Sequence, residues 1–324
     1  MASIKYSNCY INDSYSVAGP MERAGQIKNY DYTLDDYYFK EKTFEKAEAK
    51  MQQKVIDNLL FKNKLNDSNI DIIVGGDLFN QIGITSQTME NYNISFLGTY
   101  SACATFVENI IISANMLSNK SIKKAICITS SHNLTAEKQF RYPIEYGAMK
   151  YKCNTFTATG CVAALISNVE SNIKVESATI GQVINMGLKD VNNIGAVMAP
   201  AAASTIIKHL EETKRDINYY DVILTGDLGS IGSEILKEFL SINYSIKLKN
   251  HLDAGMQIYS KSQDINAGSS GPVSLPLVLF NKILKNKKYK KILIVGTGSL
   301  HTPTLVNQKN SIAAIAHAVS LEVK

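Results

Sequence analysis

The sequence contains no run of about 18 apolar residues, the length that spans a bilayer as one helix. Its opening, MASIKYSNCY, also lacks the charged-then-apolar pattern of a secretory signal. The chain is therefore expected to be made in the cytoplasm and to remain soluble or peripheral to a membrane. Cysteine is scarce and unpaired: Cys9, Cys103, Cys127, Cys153 and Cys161 are odd in number, with no C-x-x-C pair and no histidine at zinc-ligand spacing. A disulfide framework and a structural zinc are not expected, and no metal site or cofactor is assigned. Tryptophan is absent; the 17 tyrosines say little about function, because tyrosine mostly supplies apolar bulk with a polar tip. Charge of one sign is not massed either. The 34 basic and 29 acidic residues leave a net charge of +5. The basic residues are spread along the chain except at Lys285, Lys287, Lys288, Lys290 and Lys291. Nucleic-acid binding needs a denser basic face in a recognisable module, and none is visible. The lysine cluster reads as a solvated helix end leading into a strand, or as a patch that touches an anionic membrane surface.

What is present is a globular composition, 45% hydrophobic and 19% charged over 324 residues. That length suits one large core or two fused cores of about 100–200 residues each. Cys127, within Ala125-Ile126-Cys127-Ile128, and Cys161, beside Val162-Ala163-Ala164, read as core thiols. The pattern that decides the architecture is an approximate internal duplication. Ile70 to Leu78 and Tyr220 to Leu228 are both apolar strands ending in Gly-Asp-Leu, offset by 150 residues (227 − 77). Ile122 to Ile128 and Tyr289 to Val295 repeat at an offset of 167 (290 − 123). The expected halves are residues 1–170 and 171–324.

In each copy apolar runs alternate with helical stretches, the signature of α/β layering around largely parallel sheets. Phe44, Ala47, Met51, Val55 and Leu59 lie at three- and four-residue spacing, which predicts an amphipathic helix over 41–61. Residues 198–212 play that part in the second copy. The stretches 104–117 and 273–284 are apolar nearly all round, and such helices belong at the centre of a molecule. The predicted fold is a five-layer αβαβα sandwich, with two sheets enclosing two central helices.

Ser101-Ala102-Cys103-Ala104-Thr105 opens the first central helix, and a thiol at a helix N-terminus faces unpaired N–H groups that favour the thiolate. With the duplication, this resembles the nucleophile position of the thiolase and β-ketoacyl synthase superfamily. Those enzymes also need His with His or Asn from the second half to activate the cysteine and stabilise the carbanion. Here the first partner's place reads Gly226-Asp227-Leu228-Gly229, and the second reads Ala267-Gly268-Ser269-Ser270-Gly271-Pro272. A carboxylate and a serine cannot do the work of imidazole or amide, so condensation or thiolysis is chemically implausible.

Across residues 10–319 the chain resembles the stage V sporulation protein AD family. The resemblance is carried by Ser130-Ser131-His132, Thr135 to Gly147, Met198-Ala199-Pro200-Ala201-Ala202-Ala203 and the two Gly-Asp-Leu turns. It implies a thiolase-like fold without thiolase activity. It also implies a part in moving dipicolinic acid, as its calcium chelate, across the inner spore membrane, in uptake during sporulation and release in germination. The implied location is peripheral on that membrane beside integral partners, and superfamily members pair as homodimers through the first-half sheet.

A flat pyridine with two carboxylates calls for donors, a cation or bound calcium, and an apolar slot. The candidate ligand-binding residues are Cys103, Asp77, His132, Asp227, Ser269 and Ser270, with no catalytic residue assigned. Each has a plainer reading. Asp77 and Asp227 can cap the turns that follow their strands, and His132 can bond a loop carbonyl. Arg141 and Glu145 are expected to pair with each other or with a second subunit, and Glu108 needs a partner inside its apolar helix. The rival reading is a thioesterase or acyl transferase using Cys103 with His132 or His301.

Overall fold

The structure is a computed structural model and describes residues 2–140 and 151–324. Arg141 and Glu145 lie outside the described residues. The first half contributes β1 (Ala2–Lys5), β2 (Tyr10–Ala18), α1 (Pro20–Ala24), β3 (Tyr32–Thr33), α2 (Phe44–Lys62), β4 (Ile72–Gly76), α3 (Gly83–Met89), β5 (Ser95–Gly98), α4 (Thr105–Ser118), β6 (Lys124–Ser131), α5 (Asn133–Phe140), β7 (Phe156–Thr157) and β8 (Gly160–Ser167). The second contributes β9 (Ile173–Ile180), α6 (Ile194–Thr213), β10 (Val222–Thr225), α7 (Gly229–Tyr244), β11 (His251–Asp253), α8 (Gly255–Ile258), β12 (Ser269–Ser270), α9 (Ser274–Val278), β13 (Lys291–Leu300), α10 (Pro303–Asn307) and β14 (Ala313–Val323).

The duplication is visible in the strand pairing. One run of neighbours is β5-β4-β6-β8-β2 and the other is β11-β10-β13-β14-β9. In both runs the first two pairings are parallel and the next two antiparallel. The repeated sequence markers fall on equivalent strands, β4 with β10 and β6 with β13. The half-sheets are thus mixed, where the sequence pattern reads as largely parallel. The connection from β13 to β14 holds only the short α10, and a parallel return needs a longer crossover.

Alternation along the strands assigns the layers, because successive side chains of a strand point to opposite faces. Ile72 and Val74, Ala125 and Cys127, and Val162 and Ala164 join one apolar cluster, together with Val222, Leu224, Ile292 and Ile294 of the other half. The same cluster takes Phe106, Val107 and Ile110 of α4 and Leu275 and Leu277 of α9. This is the central layer, two helices between two sheet faces. The intervening residues Ile73, Ile126, Ile128, Cys161 and Ala163 pack under α2 with Met51, Val55 and Leu59. In the second half Ile223, Leu293 and Val295 pack under α6 and α7 with Met198, Ile206, Leu236 and Leu240. The five-layer order follows from these three clusters.

Two details depart from the expected picture. The half-sheets are joined edge to edge: β2 reaches β9 through Tyr10 with Lys174 and Ile11 with Ile173, beside a register shift between Ile11 and Asp13. Among the described residues the hydrogen-bonded path is therefore one twelve-stranded sheet folded around the central helices. The second central helix is also shorter than the predicted 273–284. It is α-helical over Ser274–Val278 and widens to a π turn over Leu279–Ile283. Pro276 fits in the first turn, where its missing N–H would have had no intrahelical partner.

Phe106 of α4 is 1% exposed and meets Phe280 edge-on at 6.0 Å between ring centroids, across the contact between the two halves' central helices. Phe106→Ala is expected to cost about 3–5 kcal/mol. Chemical denaturation followed by circular dichroism should show one transition at lower denaturant, both halves unfolding together because they share this layer.

Candidate functional site

The ends of β4, β10 and β13 and the entries to α4 and α9 converge on one point. Asp227 follows β10 and is fully buried. Its Oδ1 accepts from Thr297 Oγ1 of β13 at 2.8 Å, and its Oδ2 accepts from the Gly271 N–H at 3.0 Å. The Cys103 thiol, from the other half, faces the same carboxylate, whose charge acts on it. Gly271 is required here: its φ is +102°, and a Cβ would lie 2.9 Å from Ser131 Oγ. Burial pushes the Asp227 carboxyl up to about 6, against the lowering effect of the three bonds from Cys103, Thr297 and Gly271.

The thiolate expected from a helix N-terminus is not what this geometry produces. Helix α4 begins at Thr105 with Ala104 as its N-cap, so Cys103 precedes the first turn, after Ala102 at φ +50°. Cys103 is half-buried and lines a chamber. Burial raises its thiol well above the ordinary 9.0; the Asp227 charge and hydrogen bond raise it further, and only the Gly271 N–H works the other way. A negative neighbour opposes a second negative charge. Moving the proton from this raised thiol to the carboxylate is therefore uphill.

The chamber beside Cys103 holds about 70 Å³. Its apolar wall is Leu78, Ala102, Ala136, Phe140, Val191 and Ile194; its polar wall includes Tyr100, Glu137, Thr157, Asn192, Ser270, Ser299 and His301. A second cavity of about 650 Å³ shares Tyr100 and Phe140 with it and adds Asn80, Gln81, Gln139, Thr302 and Thr304. Small-molecule sites run to about 300–1,000 Å³, so a ring ligand reaching Cys103 must extend past Tyr100 and Phe140 into the outer cavity.

Of the six candidates, the structure brings Cys103 and Ser270 to the chamber wall and sets Asp227 directly behind the sulfur. The other three lie elsewhere. Asp77 caps the segment after β4: Oδ1 accepts from the Phe79 N–H at 2.7 Å, and Oδ2 from the Thr85 N–H at 2.7 Å and its hydroxyl at 2.5 Å. His132 is 1% exposed, with Nε2 donating to the Tyr37 carbonyl at 2.8 Å and Nδ1 accepting from the Leu134 N–H at 3.2 Å. Its ring stacks on Phe44, and burial lowers its pKa to about 4. Ser269 is fully buried and donates to Ser274 Oγ at 2.9 Å. Glu108 finds its partner in Ser101, while its Oε2 has none among the described residues.

The chamber also uses residues that the sequence reading did not single out as ligand contacts. Phe140 lies inside a quoted motif and Tyr100 next to one, but Val191 and Asn192 come from the loop before α6 and carry no local signal. His301 had one: it follows β13 as His132 follows β6, and those strands are repeats of each other. Its Nδ1 is 2.9 Å from Ser299 Oγ and its ring is 5.4 Å from Phe140. Asp253 was missed as well. It takes the capping role that Asp77 has in the first half, accepting from the Leu228 and Gly229 N–H groups at 2.9 Å each and from Thr225 Oγ1 at 2.6 Å. Among the described residues no group of three or more His, Cys, Asp or Glu is placed to hold a metal ion, and no helix is long and apolar enough to cross a membrane.

The sequence matches the family described as stage V sporulation protein AD over residues 3–322. It is 37% identical over 318 residues to the stage V sporulation protein AD of Bacillus subtilis, covering 97% of this chain and 94% of that one. Among solved structures it is similar to OleA of Xanthomonas campestris, with a TM-score of 0.62, 13% identity and coverage of 98% and 99% of the two chains. It is also similar to the tetronic acid condensing enzyme AbyA1, with a TM-score of 0.61, 12% identity and coverage of 97% and 99%. For 3-oxoacyl-(acyl carrier protein) synthase III of Xanthomonas oryzae the TM-score is 0.60, the identity 14% and the coverage 98% and 100%. At these identities the structural likeness shows the fold, which is thiolase-like.

Burial first, and then the charge of Asp227, raise the Asp253 carboxyl from 3.8 to about 7 against the bonds from Thr225, Leu228 and Gly229. A carboxyl raised in the folded state loses stability as pH climbs from its unfolded value through its folded one. Asp253→Asn gives up one acceptor and is expected to be less stable than the parent at pH 4. The gap should narrow as pH rises to 7, because only the parent must ionise a buried group, at about 1.4 kcal/mol per unit of displacement. Thermal melts of both chains across that window measure it.

Proposed function

This chain belongs to the stage V sporulation protein AD family, and on that premise we propose that it is a non-catalytic binding protein for dipicolinic acid, free or as its calcium chelate. It serves uptake of that ligand during sporulation and its release in germination, lying peripherally on the inner spore membrane beside integral partners. The observation that carries this reading is the buried Asp227 carboxylate set against the Cys103 thiol. Where a condensing enzyme of this fold places groups that activate the sulfur, this chain places a carboxylate that holds the proton on it. The chamber instead suits recognition. Its apolar wall accepts a flat ring, Ser270, Asn192 and Tyr100 are hydrogen-bonding groups for carboxylates, and Glu137 is a hard oxygen ligand of the kind calcium takes. The sheet path ends at β5, whose outer edge has no strand partner among the described residues, which supports a homodimer formed through the first half.

One observation favours the rival, acyl transfer or thioester hydrolysis by Cys103: His301 lines the same chamber. Two assays on the full chain separate the readings. Titration calorimetry with dipicolinate, with and without calcium, is expected to give saturable heat that Ser270→Leu reduces at least about tenfold by filling the chamber. Absence of saturable heat would leave the chain a scaffold that only docks membrane partners. Short acyl-thioesters are expected to survive incubation, and turnover abolished by Cys103→Ala would establish the enzyme instead.

A further inference from the structure

Four lysines gather at one groove. A groove of about 460 Å³, separate from the Cys103 chamber, runs between the 26–29 segment and the end of the second central helix. Lys28, Lys282, Lys285 and Lys287 line it with Gln26, Asn29 and Asn286, over a floor that includes buried Ile27, and no carboxylate is among its lining residues. None of these four lysines takes part in an ion pair among the described residues.

Lys282 is the most informative of the four. It is half-buried, and its ammonium donates to the neutral amide oxygen of Gln257 at 2.8 Å. Burial lowers its pKa, with no carboxylate there to oppose the shift. A partly desolvated cation without a counter-charge costs free energy that a bound anion recovers. The wall it stands on is the π turn, closed by the Leu284 N–H on the Leu279 carbonyl at 2.9 Å. Such turns are rare, less favourable than continuous α-helix, and concentrate at functional sites. The remaining lysines, 285 and 287, follow on the exposed stretch that leads into β13.

From this groove we infer a second binding site, for phosphate-bearing anions. The shared chemistry is anionic phosphate, held by Lys282 at the base and by Lys28, Lys285 and Lys287 at the rim. Its source is either a free phosphate compound or the headgroups of an anionic bilayer, and the two are separable by experiment. Free pyrophosphate is titrated calorimetrically into the full chain at low salt. In parallel, the chain is sedimented with vesicles of phosphatidylglycerol and with vesicles of phosphatidylcholine. Binding in the first assay identifies a soluble phosphate ligand; binding to phosphatidylglycerol alone identifies the bilayer. Either signal should fall about tenfold or more in Lys282→Gln and in the double variant K285E/K287E, and should weaken with added salt. The double variant K247E/K249E, which changes exposed lysines away from the groove, controls for bulk charge. Absence of both signals, or an equal loss in that control, overturns the site.

Discussion

The buried carboxylate of Asp227 stands where the two halves of the molecule meet. It accepts from Thr297 and Gly271 of the second half and faces Cys103 of the first, so three separate chain segments meet at one buried group. A buried carboxylate is tolerable only when its acceptor positions are filled. Its charge beside the sulfur opposes the thiolate, and a protonated thiol is a poor nucleophile. The chamber in front of it is open to a small group while the carboxylate behind the sulfur opposes the charge that acyl chemistry would need.

Duplication explains both the likeness of the halves and the ease with which they diverged. The same Gly-Asp-Leu turn follows β4 and β10, yet Asp77 caps the backbone after its own strand, and Asp227 turns across to the other half. Asp253, on the neighbouring strand β11, takes over the capping and thereby places a second buried carboxyl near the first. Four histidines work in the opposite sense. Burial lowers His132, His209, His251 and His317 to about 4 each, so the stability they contribute is lost as pH falls from 6.5 through that value. Asp227, Asp253 and Glu22, raised by burial to about 6, 7 and 7, lose theirs as pH rises over much of the same range. The two sets offset one another, which is why a single group shows only by comparison with its own variant.

Much of the fold was legible in the sequence because layer architecture is written in periodicity. The repeated strands and the two helices that are apolar nearly all round led to a five-layer arrangement, and the strand pairing repeats as the markers do. The join between half-sheets was not legible, since Tyr10 and Ile11 look like any strand residues and their pairing with Lys174 and Ile173 is set by tertiary geometry. The site was legible in proportion to how local its residues are. Cys103 and Ser270 stand at helix entries with recognisable neighbours. Asp77 and Asp227 share one motif, and only the surrounding donors, Thr85 for one and Thr297 with Gly271 for the other, give them different work. His132 was drawn toward Tyr37 and Phe44 by a loop whose path no short pattern encodes, whereas His301 was recoverable from the repeat itself.

The account stands or falls on the protonation of one sulfur. Nuclear magnetic resonance of the chain with its cysteine β-carbons isotopically labelled, assigned through Cys103→Ala, follows that sulfur directly as pH is raised. The Cys103 signal should keep its thiol position beyond the ordinary cysteine value of 9.0, and in Asp227→Asn the transition should move to lower pH. A Cys103 signal already in its thiolate position at neutral pH would contradict the account.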